Sequence, residues 1–260
     1  MSMFEIDTGD KKVMLSPQYN EATVLRHQAA EYNLEKFMCQ KGFGVEKLTD
    51  INLDDPVMAD RYKRILTNMV LACKSCKLSV ETEFSHCAPI YVRNPIAVCI
   101  GRSPSRAEAK CNQIVASETQ CGRVFDQYLH VLGLSRSDVA VLNAVQCHTR
   151  GNRPPESECV KKCSAFKKLE FYYINRFKIL FLMGNDAVYW LYGRNHPGVL
   201  NVQGMVYNTM LRPEFLDLGI EQEVIVIPVV HPNHLVINPE LRSSVSNILK
   251  VARQIIKQLD

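Results

Sequence analysis

Val139-Ala140-Val141-Leu142-Asn143-Ala144-Val145-Gln146-Cys147 decides the fold. The run is short and almost continuously apolar, with several β-branched residues. That is the pattern of a strand buried on both faces of a parallel sheet. Asn143 sits inside it although asparagine is depleted in strands, so packing alone is a poor reason for its presence. Cys147 closes the run, and a loop with arginine and proline follows, Gly151-Asn152-Arg153-Pro154-Pro155.

Three more runs of this kind lie at 96–100, 179–182 and 224–230. Helical stretches separate or follow them at 120–132, 156–171, 186–192 and 241–259. The alternation predicts a three-layer α/β/α sandwich around a central, mainly parallel four-stranded sheet. In such sheets ligands bind beyond the carboxyl ends of the strands. The chemistry is therefore sought in Gly101-Arg102-Ser103-Pro104-Ser105, in 143–153, in Gly184-Asn185 and in His231-Pro232-Asn233-His234.

Residues 1–60 differ from this pattern, with many charges, little strand signal and amphipathic stretches near 21–41 and 56–72. They are read as a helical N-terminal extension to a domain at 61–260. Asp54-Asp55-Pro56 is a helix start with proline in the first turn. At 260 residues the chain can bury a large core, and 47% hydrophobic with 22% charged residues is ordinary for a globular protein. Glu5, Asp7 and Asp10 in the first twelve residues argue against a secretory leader, and no apolar run approaches membrane-spanning length. A net charge of +4 permits nucleic-acid binding without establishing it. Ten cysteines without a leader point to a reducing compartment, cytoplasm or nucleoid, where thiols bind metal, react or pack.

Cys73 and Cys76 form a C-x-x-C pair, and Cys147 and Cys163 lie downstream with fifteen residues between them. A C-x-x-C turn offers two thiolates to one centre, and two more complete a four-sulfur site for a [4Fe–4S] cluster or a structural zinc. Cys159 competes with Cys163 as the fourth ligand. Cys39, Cys87, Cys99, Cys111 and Cys121 are read as buried or incidental thiols, Cys87 being the closest in sequence to the pair. Lys161, Lys162, Lys167 and Lys168 are expected on one exposed helix face, and His148 and His234 in loops.

Taken in order, these segments resemble the uracil-DNA glycosylase superfamily, and most of all its iron–sulfur branch, the family-four enzymes. The resemblance runs from Cys73 to the C-terminus. The family's C-x-x-C followed by leucine is here Cys73-Lys74-Ser75-Cys76-Lys77-Leu78, and its N-V-V-K-C is Asn143-Ala144-Val145-Gln146-Cys147. The arginine- and proline-bearing loop, the last cluster cysteine at Cys163, a strand ending Leu182-Met183-Gly184 and an H-P-S-x-L motif read as His231-Pro232-Asn233-His234-Leu235 follow in family order. The resemblance implies a [4Fe–4S] cluster on Cys73, Cys76, Cys147 and Cys163, zinc being the less favoured centre. It also implies DNA as the partner of a hydrolase. The chain is expected to be a monomer, and a further reading makes it a nucleic-acid-associated subunit whose N-terminal extension docks on a repair or replication protein.

Two departures stand out. The family's G-E-G-P-G-x-x-E reads Gly101-Arg102-Ser103-Pro104-Ser105-Arg106-Ala107-Glu108, so the first acid is an arginine and two glycines are serines. The phenylalanine that stacks on the base in the family falls near Ser117, with no aromatic close by.

The chemistry such an enzyme needs assigns the residues. A base must leave the stack and enter a pocket, here expected at Gly101, Ser103, Ser117 and Asn143, whose amide can read a pyrimidine edge. The leaving base carries negative charge on a carbonyl oxygen, and His231 is the donor that stabilises it. A carboxylate orients the water or stabilises the sugar cation. Arg102 stays protonated and cannot, so Glu108 is the candidate acid, with Arg102 an added donor. Arg150 and Arg153 are expected on phosphates, with Asn233 and Leu235 at the DNA and Leu235 wedged into the stack. The altered pocket suggests a bulkier or hydroxylated pyrimidine, in repair or in defence against phages with modified DNA. The alternative is a protein of the same fold that binds or senses a base without cutting.

Overall fold

In the computed structural model the residues described are 5–7, 12–14, 39–44, 50–81, 86–211 and 222–259. Four strands run parallel: β3 (Ala97–Gly101), β4 (Val139–Asn143), β5 (Ile179–Met183) and β7 (Gln222–Val229). They lie in the order β4-β3-β5-β7, with Gly101 opposite Asn143 and Met183 opposite Val229, so their carboxyl ends share one edge. The first three are buried along their whole length, as their unbroken apolar sequences require.

The sheet has five strands rather than four. β6 (Tyr207–Leu211) adds antiparallel to β7 at the edge. Its sequence, with Asn208 and Met210 between Tyr207, Thr209 and Leu211, has no β-branched run to announce it. Helices cover both faces. On one side α4 (Gln120–Leu132) packs with α8 (Pro232–Ile237) and α9 (Arg242–Leu259). On the other, α1 (Pro56–Leu71) packs with α5 (Ser157–Ile174).

α1 starts where the Asp-Asp-Pro sequence places it: the Asp55 side chain accepts the Val57 N–H at 2.9 Å, and Pro56 needs no partner at the first position. Its buried residues Ala59, Tyr62 and Leu66 belong to the main core with Ile51 and Leu53. A division at residue 60 therefore cuts through a helix packed on the domain. Upstream, the short strands β1 (Glu5–Asp7) and β2 (Lys12–Met14) pair antiparallel, so the extension carries some strand, and the predicted amphipathic stretch at 21–41 lies almost wholly outside the described residues.

The lysine face of α5 also differs from expectation. Lys167 is 1% exposed and Lys168 is buried. Lys167 Nζ donates to Glu170 Oε2 at 2.6 Å, while Glu170 Oε1 accepts from Tyr91 Oη at 3.1 Å and Gln146 Nε2 at 2.7 Å. A buried charge persists only when paired and hydrogen-bonded in this way.

Candidate active site and thiol centre

Beyond the carboxyl edge of the sheet lies a cleft of about 370 Å³. It is walled by the segments after β3, β5 and β7: Arg102, Ser103 and Glu108, then Gly184 and Asp186, then His231, Asn233 and His234. Gly101 and Asn143 do not themselves line the cleft, but Gly101 adjoins its lining residues Arg102 and His231. A Cβ on Gly101 would stand 2.6 Å from Asn143 Oδ1 and 3.3 Å from His231 Nε2, so the glycine lets an amide and an imidazole converge on one spot. Asn143 is buried, yet no described residue hydrogen-bonds its amide. A strand-end asparagine left open in this way is available to a ligand.

His231 caps α8. Its Nδ1 accepts the Asn233 N–H at 3.2 Å, which assigns the proton of the neutral ring to Nε2, the nitrogen nearest the spot a Gly101 Cβ would take. Burial pushes the His231 pKa below the ordinary imidazole value. Glu108 opposes that push, and the positive charge of Arg102 together with His234 reinforces it. The Tyr128 hydroxyl donates to the Val230 carbonyl at 3.0 Å and fixes the turn that carries the ring. The arrangement offers a neutral N–H donor beside an amide.

Glu108 lines the cleft, but its carboxylate is already engaged. Oε2 accepts the Ser105 N–H at 2.7 Å in a capping box at the start of α3 (Arg106–Cys111), and Oε1 accepts the Val115 N–H at 2.6 Å. It ties the loop after β3 to the segment before α4. Arg102 reaches across the cleft to Asp186, with Nη1 3.6 Å from Oδ2. Asp186 was not singled out from the sequence, because an acid in a helix first turn is commonplace. The signal available was its place two residues after a strand-end glycine.

The expected DNA-facing residues divide. Arg150 and Arg153 are exposed on the loop after β4, flanking Asn152, which lines the cleft, and Asn233 lines it too. Leu235 does not fit a wedge: it is 3% exposed and packed in the main core, because α8 turns it inward. Two residues on, Ile237 is 68% exposed at the rim, and Leu200 on α7 (Val199–Val202) is 55% exposed there as well. Ser117 is exposed and does not line the cleft. Ser103 does, its hydroxyl 3.5 Å from that of Thr149, and His148 bonds the Pro104 carbonyl at 3.1 Å, so the loops after β3 and β4 are joined.

Cys73, Cys76, Cys147 and Cys163 surround a second, small cavity together with His86 and Gln146. Residue 86 pairs antiparallel with Cys147, and His86 Nε2 lies 2.7 Å from the Cys73 carbonyl, so the chain folds back around the turn. The Gln146 N–H donates to Cys163 Sγ at 3.4 Å. Burial pushes the Cys163 thiol up to about 12. Burial alone would also raise Cys73, but hydrogen bonds with His86 and Ser75 bring it below its ordinary value. Four soft thiolate donors in one cavity suit an iron–sulfur cluster, which Cys73, Cys76, Cys147 and Cys163 would hold. Among the described residues no three His, Cys, Asp or Glu groups gather closely enough to hold a single ion. Cys159 is buried against Cys76 and does not line the cavity, and Cys87 points away, its thiol 3.5 Å from the Glu108 carbonyl.

Residues 89–253 match the family model described as the uracil DNA glycosylase superfamily. The chain is 26% identical over 190 residues to a type-4 uracil-DNA glycosylase of Sulfurisphaera tokodaii, covering 72% of this chain and 81% of that protein. It is likewise 26% identical over 184 residues to the type-4 enzyme of Archaeoglobus fulgidus, covering 70% and 86%.

Proposed function

The chain belongs to the uracil DNA glycosylase superfamily, and on that premise we propose that it is a DNA glycosylase that flips a pyrimidine out of DNA and releases it by hydrolysis. The observation that carries the reading is the convergence of the Asn143 amide and His231 Nε2 over Gly101. The amide matches donor and acceptor atoms of a pyrimidine edge. The Nε2–H supports negative charge on the base carbonyl as the glycosidic bond breaks, in a site partly shielded from water. Arg150 and Arg153 serve the phosphates, and Ile237 with Leu200 takes the wedge role once expected of Leu235.

The substrate reading is uracil or a larger pyrimidine, in repair or in defence against modified phage DNA, acting in the cytoplasm or at the nucleoid. Two observations favour the larger base. No Phe, Tyr or Trp is among the described residues lining the cleft, and Arg102 adds a strong donor. The thiol centre is read as a [4Fe–4S] cluster. When bound it would supply a rigid crosslink between the Cys73 turn and the loop after Asn143, not bond-breaking chemistry.

Base release measured by mass spectrometry tests the function. The DNA panel would carry uracil, 5-hydroxymethyluracil, and plain and glucosylated 5-hydroxymethylcytosine, with wild type beside His231→Ala. Release of one base, lost in the variant, is the expected result and names the substrate. Retained DNA binding with no release from any of them would replace this reading with a non-catalytic base sensor.

A further inference from the structure

Two carboxylates line the cleft, Glu108 and Asp186, and their surroundings differ. Each Glu108 oxygen receives a backbone N–H at 2.7 Å or less, and the residue is buried. Its geometry is that of a loop tether. Asp186 is 25% exposed, and its one described partner is Arg102, at the loose distance of 3.6 Å. An ionised carboxylate has about four acceptor positions, so most of those on Asp186 remain open to water in the cleft.

The pair also stands in the right place. Arg102 follows Gly101 at the end of β3, and Asp186 lies two residues after Gly184 at the end of the adjacent strand β5. A Cβ on Gly184 would lie 3.5 Å from His231 Cβ, so the Asp186 segment adjoins the imidazole.

We infer that Asp186 is the catalytic carboxylate of this cleft, with Arg102 as the residue that positions it. The inference rests on the glycosylase reading. The carboxylate accepts a hydrogen bond from a water and aims its oxygen at C1′ of the flipped nucleotide. The C1′–N1 bond breaks, and its electron pair leaves on the pyrimidine, where His231 Nε2–H supports the charged carbonyl oxygen. The water oxygen bonds to C1′, and its proton passes to Asp186 and then to solvent. The departing pyrimidine anion takes a proton from solvent, so the sum is base-bearing DNA and one water giving free base and an abasic site. The acid sought at Glu108 is thereby assigned to a different strand end.

The test is single-turnover base release on the full chain, using the panel DNA that wild type cleaves fastest, with DNA affinity measured by fluorescence anisotropy. Asp186→Asn is expected to slow release by about 100-fold or more, the usual scale for losing general-base assistance. Its affinity for DNA should stay within about threefold, since no phosphate contact is removed. Asp186→Ala is expected to regain part of its rate in added formate, whereas Glu108→Ala is not. Release by Asp186→Asn within threefold of wild type would overturn the assignment while leaving the glycosylase reading intact. So would formate rescue of Glu108→Ala but not Asp186→Ala. Absence of release by wild type from every DNA would overturn both.

Discussion

At the scale of single residues, the cleft depends on what is missing at position 101. Gly101→Ala would put a methyl 2.6 Å from Asn143 Oδ1 and push the amide off its spot. A displacement of this size costs about 100-fold in rate where geometry is the catalyst. Base release should fall by that order while thermal unfolding changes little, because the atoms met are side-chain ends. His231 gives a pH prediction. Its native pKa is lowered, so the neutral donor persists on the acid side of the ordinary imidazole value of about 6.5. Single-turnover release should therefore stay flat through that pH and decline only at lower pH, when protonated Nδ1 can no longer accept the Asn233 N–H. The stability sign follows. Between the lowered native value and about 6.5 the unfolded chain binds a proton that the folded chain refuses, so stability rises with pH across that window. A denaturant series at several pH values would measure it.

Leu235 and Ile237 show what a sequence conceals at this scale. The motif spacing made Leu235 the conspicuous residue of its loop, but side-chain direction depends on the phase of α8, which six residues cannot reveal as a periodic pattern. The two variants should separate. Leu235→Ala should cost about 2–5 kcal/mol in unfolding free energy, as for other buried leucines. Ile237→Ala should leave stability within about 0.5 kcal/mol and weaken release from duplex DNA more than from single strands. Equal loss on both substrates would count against a wedge.

At the scale of elements, the four parallel strands and the long helices were legible because burial on both faces leaves nearly unbroken apolar runs between amphipathic ones. β6 was not, since an antiparallel edge strand carries no such run. The buried face of α5 was missed for another reason. Four lysines in eight residues read as solvated, and nothing local announces that Tyr91 and Gln146 arrive to satisfy the Glu170 carboxylate that pairs with Lys167. That network makes α5 sensitive. Lys167→Met would leave the Glu170 carboxylate buried without its cation and should cost about 3–5 kcal/mol, whereas Lys167→Met with Glu170→Gln should recover much of the loss. Chemical denaturation of the single and double variants distinguishes the two.

At the scale of the whole molecule, the fold brings Cys73, Cys76, Cys147 and Cys163, far apart in sequence, to the lining of one small cavity, and the cluster proposed there is open to direct assay. Iron and acid-labile sulfide analysis of anaerobically prepared protein should find about four of each per chain. Cys147→Ser or Cys163→Ser should abolish that content, and Cys159→Ser should keep it. A single zinc in wild type would refute the cluster.

Asn143 and Cys147 are also neighbours on one short tether. The three residues between them are buried, Ala144 and Val145 bond to the carbonyls of Gly101 and Arg102, and Gln146 bonds the Cys163 sulfur. Slack at one end of so taut a span is felt at the other. With the proposed cluster on Cys147, a cell short of iron would be left with a chain in which the proposed base-reading amide of Asn143 has lost its anchor, so the supply of one nutrient would ration the scrutiny of its genome.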